Sequence, residues 1–264
     1  MQISPPKHLA GFIKHYIFLE NSQKNNRNLR LFADGNTGMI ISADMHMHDA
    51  EGNFLPLSFF YGQPTSYKNL GTEGPFSLLA VVFQPYFFNL LFGIAAKEIR
   101  NEIIPAEDII QDRLAPFQEA MDRKSAPRML ISGLNSFFTH LIASKNNADL
   151  WVIQLQQYML LNKGMASLRM LEHFSGYSER HIERTFQNHI GIAPRKYNSI
   201  IRLHHFLSLA KNKAPEQNMA ELCYSAGYFD QSHLIRDCKS ITGLTPTQYI
   251  KTKNKLAVNF IELH

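Results

Sequence analysis

One arrangement of residues occurs twice in the C-terminal part of the chain. Ser175-Gly176-Tyr177 leads through Ser178 into the segment Glu179 to Ile190, and His189-Ile-Gly-Ile-Ala-Pro194 closes it. Further on, Ala226-Gly227-Tyr228-Phe229 leads through Asp230 into Gln231 to Ile241, closed by Ile241-Thr-Gly-Leu-Thr-Pro246. Ser178 and Asp230 are placed to accept the unpaired N–H groups that begin a helix. Gly191 and Gly243 are placed to end one, because glycine takes the left-handed closing conformation without strain. A short helix is expected before each turn, Ser167 to Phe174 in the first copy and Met219 to Ser225, capped by Asn218, in the second. The duplication confines this part of the chain to an all-helical unit with two like halves.

Helix, tight glycine-containing turn and capped second helix form the layout in which the second helix enters the major groove of DNA. Between the copies, Tyr197, Ile200, Leu203, Leu207 and Ala210 fall on one stripe at helical spacing, which predicts a long joining helix from Pro194 to Lys211. Asp149 is placed to cap a leading helix, Leu150 to Leu161, that ends near Gly164. Seven helices are expected in all, with Phe174, Ile182, Phe186, Leu222 and Leu234 in their core.

Charge agrees with a polyanionic partner for this part. The chain of 264 residues has a net charge of +5, and the excess lies wholly after Leu161: 14 Lys+Arg against 8 Asp+Glu, where the preceding residues have 13 against 14. Neutralising phosphates with Lys and Arg dominates affinity for nucleic acid. The two cysteines, Cys223 and Cys238, are too few for a disulfide framework or a cysteine-rich zinc module. The longest apolar stretch, Phe76 to Phe92, is cut by Gln84, Pro85 and Asn89, so no transmembrane helix is expected. The N-terminus lacks a signal-peptide pattern, which leads us to expect a cytoplasmic protein.

Residues 1–110 are expected to be β-rich. Gly38-Met-Ile-Ile-Ser42, Leu57-Ser-Phe-Phe-Tyr61 and Phe76-Ser-Leu-Leu-Ala-Val-Val-Phe83 have strand length and are separated by turn signals such as Asp34-Gly35-Asn36. Such strands suggest a barrel or sandwich, with a short helix from Pro85 to Phe92. The aromatic set Phe59, Phe60, Tyr61, Phe83, Tyr86, Phe87 and Phe88 is expected in its core. Residues 111–147 read as helical, with Pro127 at the first turn of a helix suited to linking or dimerisation. The polar stretch Ser144 to Ala148 is the expected boundary, and residues 148–264 follow as the second domain.

The duplicated segments resemble the AraC/XylS family of transcriptional regulators, from roughly Ala148 to Ile250. Gly227-Tyr228, Asp230, Arg236, Lys239, Gly243-Leu-Thr-Pro246 and Tyr249 match its second half; Ser178, Arg180, Ile182, Arg184, Phe186, Gly191 and Pro194 match its first; Arg202-Leu203 and Ala210 match the joining helix. The resemblance implies double-stranded DNA as partner, with the two recognition helices in successive major-groove segments about 34 Å apart. It assigns base reading to Arg180, Glu183 and Arg184 on the first helix and to Gln231, Ser232 and Arg236 on the second. Arg donates bidentately to guanine, Gln pairs with adenine and Glu accepts from cytosine. Thr185, Gln187, Lys196, Arg202, His233 and Lys239 are candidates for phosphate contact or support. Two positions depart from the family: Glu172 stands where a small residue is usual, and Cys238 stands where Phe is. Either the helices are shifted there or Glu172 reaches solvent or an Arg such as Arg169; at Cys238 either the core of the second copy is looser or a neighbour such as Phe229 fills the gap.

The same resemblance implies an α+β chain whose N-terminal, cupin-like β-barrel binds a small effector and supports a homodimer, with RNA polymerase as a further partner if the protein is an activator. Pro5-Pro6, Leu9, Phe12-Ile13, Tyr16, Glu20 and Ala33-Asp34-Gly35 resemble the opening of such a sensor domain. No cofactor, no enzymatic activity and no membrane partner are expected. Two other readings stay open. The N-terminal domain could serve dimerisation alone, or it could be a metal-binding enzyme targeted by the helices. On a strand His46 and His48 share a face and could hold a metal with Glu51. A fused DNA-repair methyltransferase is disfavoured, because no cysteine precedes Cys223.

Overall fold

The structure, a computed structural model, describes residues 1–22, 26–42, 47–123, 126–143, 150–211, 218–252, 255–257 and 260–263. The chain opens with β1 (Gln2–Ile3), β2 (Ile13–Asn21), β3 (Arg27–Leu31), β4 (Thr37–Ser42), β5 (Met47–His48), β6 (Ser58–Tyr61), β7 (Lys68–Thr72) and β8 (Phe76–Phe83). Helix α1 (Phe87–Phe92), strand β9 (Ile103–Pro105) and helices α2 (Glu107–Ile110), α3 (Ala115–Asp122) and α4 (Pro127–Ala143) complete the N-terminal unit. Seven helices follow: α5 (Leu150–Leu161), α6 (Leu168–Ser175), α7 (Glu179–Ile190), α8 (Pro194–Lys211), α9 (Met219–Ser225), α10 (Gln231–Thr242) and α11 (Pro246–Lys251). The chain ends in two strands, β10 (Lys255–Ala257) and β11 (Phe260–Leu263).

The strands build two sheets, in the orders β1-β2-β8-β4-β6-β9 and β10-β11-β3-β7-β5. Among the described residues no ladder joins one sheet to the other, so the antiparallel β-sheet domain is seen as two sheets and the closure of the expected barrel is not seen among them. The six-stranded sheet is buried on both faces. Along β8, Leu79, Val81 and Phe83 pack with the helices, while Leu78, Ala80 and Val82 pack toward the second sheet. Successive strand residues point to opposite faces, so a sheet covered on both sides reads as an unbroken apolar run. The register irregularity between Ile13 and His15 moves Ile13 onto the helix side, out of phase with Ile17 and Leu19. A β-bulge shifts facing in this way.

All seven aromatics expected in the core are buried, and several form a cluster between sheet and helices. The Phe83 and Phe87 rings lie 3.6 Å apart and nearly parallel, and Phe138 meets both edge-on. Helix α4 faces this cluster with Leu130, Ile131, Leu134 and Phe138, and Tyr16 donates to Asn135 Oδ1 at 2.7 Å. The apolar stripe of α4 therefore covers its own sheet, and Arg128, Ser132, Ser136 and His140 face solvent.

The sequence gives no hint of how closely the two units are joined. The C-terminal strand β11 leaves the helices and pairs antiparallel with β3, Phe260 opposite Leu31 and Leu263 opposite Asn28, with an ion pair between Arg27 and Glu262. Residues 260–263, expected to belong with the helices, are thus part of the N-terminal sheet. In the opposite direction, Phe32 and Ala33 enter the core of the helical unit. Phe32 stacks on His204 and meets Tyr249 edge-on, with centroids 5.9 and 5.8 Å apart. His204 Nε2 donates to the Ala33 carbonyl at 2.9 Å, and burial holds its pKa below the usual histidine value. The expected boundary near Ala148 lies outside the described residues.

Candidate nucleic-acid interface

Each copy of the repeat folds as helix, turn and second helix. In the first, Ser167 caps α6, accepting from the Met170 N–H, and Gly176 closes it in the left-handed conformation at φ 73°. Ser178 occupies the N-cap position of α7, but its hydroxyl makes no capping bond. Glu172 does this instead: its Oε1 accepts the Glu179 N–H at 2.8 Å. The residue that departs from the family is thus the cap of the first recognition helix. A carboxylate there satisfies a free donor and sits at the positive end of the helix dipole.

In the second copy Asn218 and Glu221 form a reciprocal capping box on α9. Asp230 accepts the His233 N–H at 2.7 Å and starts α10, and Gly243 ends it at φ 73°. Counted from the glycine, this turn is one residue longer than the first, and the additional residue is Phe229. Phe229 is 85% exposed, so it does not fill space beside Cys238. The buried aromatic of the second turn is Tyr228, whereas its counterpart Tyr177 lies outside, packed between Trp151 and His181. Burial pushes the Cys238 thiol up to about 11, which leaves it protonated and unreactive near neutral pH.

Ile182, Phe186, Leu222 and Leu234 are buried as expected, with Phe186 edge-on to Tyr197. Phe174 is not in the core. It lies at the last turn of α6, 46% exposed, and stacks on Tyr158 at 4.3 Å. It was expected in the core, but its ring packs on Tyr158 at the end of α6 instead. The joining helix α8 is fixed by Gln156, which donates to the Tyr197 hydroxyl at 2.7 Å, and by Asn198, which donates to the Ala166 carbonyl at 2.6 Å.

The base-reading candidates lie outward. On α7, Arg180 and Arg184 are exposed and Glu183 is half-exposed; on α10, Gln231, Ser232 and Arg236 are exposed. None of the three arginines is held in an ion pair among the described residues. The supporting candidates divide. Lys239 is exposed, and Thr185 and Gln187 are half-exposed. Arg202 and His233 turn inward to Asp237 at 3.6 and 3.7 Å, and the Arg202 guanidinium lies over the Tyr228 ring at 4.8 Å. Burial lowers the Lys196 pKa, and Asp237 opposes that shift. Arg202 and His233 therefore gather on one carboxylate that ties α8 to α10. Sequence reasoning missed Asp237, although its spacing of four from His233 on one helix was a usable signal.

Of the proposed metal ligands, His46 lies outside the described residues. His48 sits on β5 across from Gly71, its Nδ1 bonded to the Asp49 carbonyl at 3.0 Å, and Glu51 is exposed in the following turn. Among the described residues no group of three or more His, Cys, Asp or Glu side chains could hold a metal. No helix among them is long and apolar enough to cross a membrane.

The duplicated helices, their caps and their outward basic side chains define a helix-turn-helix DNA-binding unit. Residues 173–252 match the family described as helix-turn-helix domain, and residues 1–105 match a domain of unknown function, DUF6597. Residues 173–252 thus contain a helix-turn-helix domain. A search of curated proteins finds no match. Among solved structures the chain is similar to ToxT from Vibrio cholerae O395, at 12% identity over 91% of this chain and 97% of that one, TM-score 0.46. It is also similar to a ToxT structure from strain SCE256 bound to an unsaturated fatty acid, at 13% identity over 89% and 94%, TM-score 0.44. A probable AraC family regulator from Rhodopseudomonas palustris CGA009 is 25% identical over 39% of this chain and 96% of that one, TM-score 0.36.

Proposed function

We propose that the N-terminal unit controls DNA reading by holding both recognition helices at their C-terminal ends. The observation that carries this is a pair of separate grips. At the end of α7, the Ala96 N–H donates to the Asn188 carbonyl at 2.7 Å, and Gly191 packs against Ala96 and Gln63 so tightly that a Cβ there would meet the Ala96 carbonyl at 2.8 Å. At the end of α10, Arg30 donates to the Thr242 carbonyl at 3.1 Å and lies over the Tyr67 ring at 4.2 Å. Both grips leave the N-terminal, base-reading halves free. A shift of the two-sheet unit would then move one reading helix relative to the other, and two heads bind one duplex well only when their spacing fits it.

In this reading the two-sheet unit is a cupin-like sensor, and the chain acts by binding rather than catalysis. A small effector would enter the cavity of about 360 Å³ between the β6–β9 edge and the segment α2–α3. Ser58, Glu107, Gln111 and Gln118 offer polar groups there, and Leu57 and Leu114 an apolar wall. Such a volume falls within the usual range for ligand sites. A homodimer, RNA polymerase contact in an activator and a cytoplasmic setting belong to the same proposal.

Arg30→Ala tests it. The variant is expected to lose roughly 5-fold or more in affinity for a duplex containing both half-sites, the lower range of a typical coupling energy. Its affinity for a duplex with only one half-site stays unchanged. Equal affinities of variant and parent on the two-part site would contradict control through this grip.

A further inference from the structure

The two recognition helices present different chemistry. On α7 the outward reading candidates, Arg180, Glu183 and Arg184, are all ionisable. The outward strip of α10 has Gln231, Ser232 and Arg236, but also Ile235, 38% exposed, and Phe229 immediately before the cap. We propose that Phe229 and Ile235 read thymine methyl groups, so that the operator segment under α10 leans to A·T while the segment under α7 leans to G·C. This rests on the DNA-binding reading of both helices.

The position of Phe229 has a usual intramolecular use that this chain does not make. The residue before an N-cap often packs on the fourth residue of the helix, closing the entry of the chain. Here that fourth residue is Leu234, which is fully buried, while Phe229 stands outside. In the first copy the residue before the cap, Tyr177, has its ring stacked on His181 and tilted against Trp151, each at 4.6 Å. Phe229 has no such ring partner among the described residues. Among the described residues it is the most exposed of the large apolar side chains, and it borders the first turn of a helix whose other outward groups, Ile235 apart, are polar.

An apolar side chain at the reading end of a recognition helix has one apolar feature to meet in the major groove, the C5-methyl of thymine. Ile235 lies about one turn further along, between Gln231 and Arg236 on the same outward strip, so the apolar surface is continuous with the polar reading groups. Gln231 supports the same preference, since a side-chain amide pairs bidentately with adenine. On α7, two arginines suit guanine and Glu183 suits cytosine.

The test starts from duplexes selected by the full-length protein from a random pool. Selected sites are expected to contain thymines in the segment under α10. Replacing those thymines by deoxyuridine removes only the methyl and is expected to weaken binding about 4-fold per contacted methyl. Phe229→Ala and Ile235→Ala are expected to weaken binding to the thymine site and to lose sensitivity to the deoxyuridine that faces each of them. Both residues are exposed, so both variants should melt with the parent protein. The proposal is overturned if deoxyuridine has no effect on the parent, or if Phe229→Ala keeps full sensitivity, while Arg236→Ala still weakens binding. It is equally overturned if Phe229→Ala binds DNA as the parent does. If Arg184→Ala and Arg236→Ala also bind as the parent does, the assignment of the reading helices has failed, which is a separate result.

Discussion

Phe32→Ala is expected to destabilise the helical C-terminal unit by about 3–5 kcal/mol, the usual cost of deleting a buried phenyl ring. The residue follows a strand of the N-terminal unit, so a domain-by-domain reading would assign its effect there. Its ring is fully buried among C-terminal residues, on His204 and against Tyr249. No nearby side chain can swing in to replace it without abandoning its own contacts: His204 is held to the Ala33 carbonyl, and Tyr249 belongs to the capped helix α11. Hydrogen exchange read helix by helix would locate the loss. Faster exchange in α8 and α11, with the six-stranded sheet less affected, is the expected pattern. Loss confined to the sheets would place Phe32 outside the helical core and remove one of the physical links between the units.

The second large effect falls on DNA binding. Arg184→Ala and Arg236→Ala are each expected to cost about 1–3 kcal/mol on a cognate site, roughly 5- to 150-fold in Kd, and to relax sequence preference at the base each one faces. The two residues lie on different helices and are not in an ion pair, so their costs should add. Both are exposed, so thermal stability should stay within about 0.5 kcal/mol of the parent. Arg202→Ala is the informative contrast. Its guanidinium is engaged with Asp237 and Tyr228, so its loss should lower stability first, and affinity only through the displacement of α10 against α8. Titration calorimetry or anisotropy, paired with melting curves, separates the two behaviours.

What could be read in advance was what is written locally. Several helices of the C-terminal unit have their starts or stops written within a few residues: Asn218 and Asp230 as caps, Gly191 and Gly243 as ends. Capping chemistry needs no knowledge of the rest of the fold. The outward placement of Arg180, Arg184, Gln231, Ser232 and Arg236 was expected from the resemblance to the AraC/XylS family. What could not be read depends on partners far apart in the chain. Nothing in Phe260-Ile-Glu-Leu263 names β3 as its neighbour, and nothing in Phe32-Ala33 names the helical core. Strand pairing is set by which edge is free, and that is a property of the assembled sheet. Phe174 and Phe229 show the converse error. An aromatic ring suggests burial by composition, but the first packs on Tyr158 at the helix end and the second sits in a turn one residue longer than its twin. Glu172 was recognised as unusual, and its use as the cap of α7 emerged only once the turn had brought it to Glu179.

The central claim is that one chain reads one face of a duplex with two helices whose separation its own N-terminal unit fixes. Hydroxyl-radical footprinting of the full-length protein on a selected site tests this most directly. Two protected segments are predicted on the same face, about one helical turn or 34 Å apart, with the downstream or upstream segment alone lost in Arg236→Ala and the other alone in Arg184→Ala. A single protected segment, or one footprint weakened as a whole by either substitution, would contradict it.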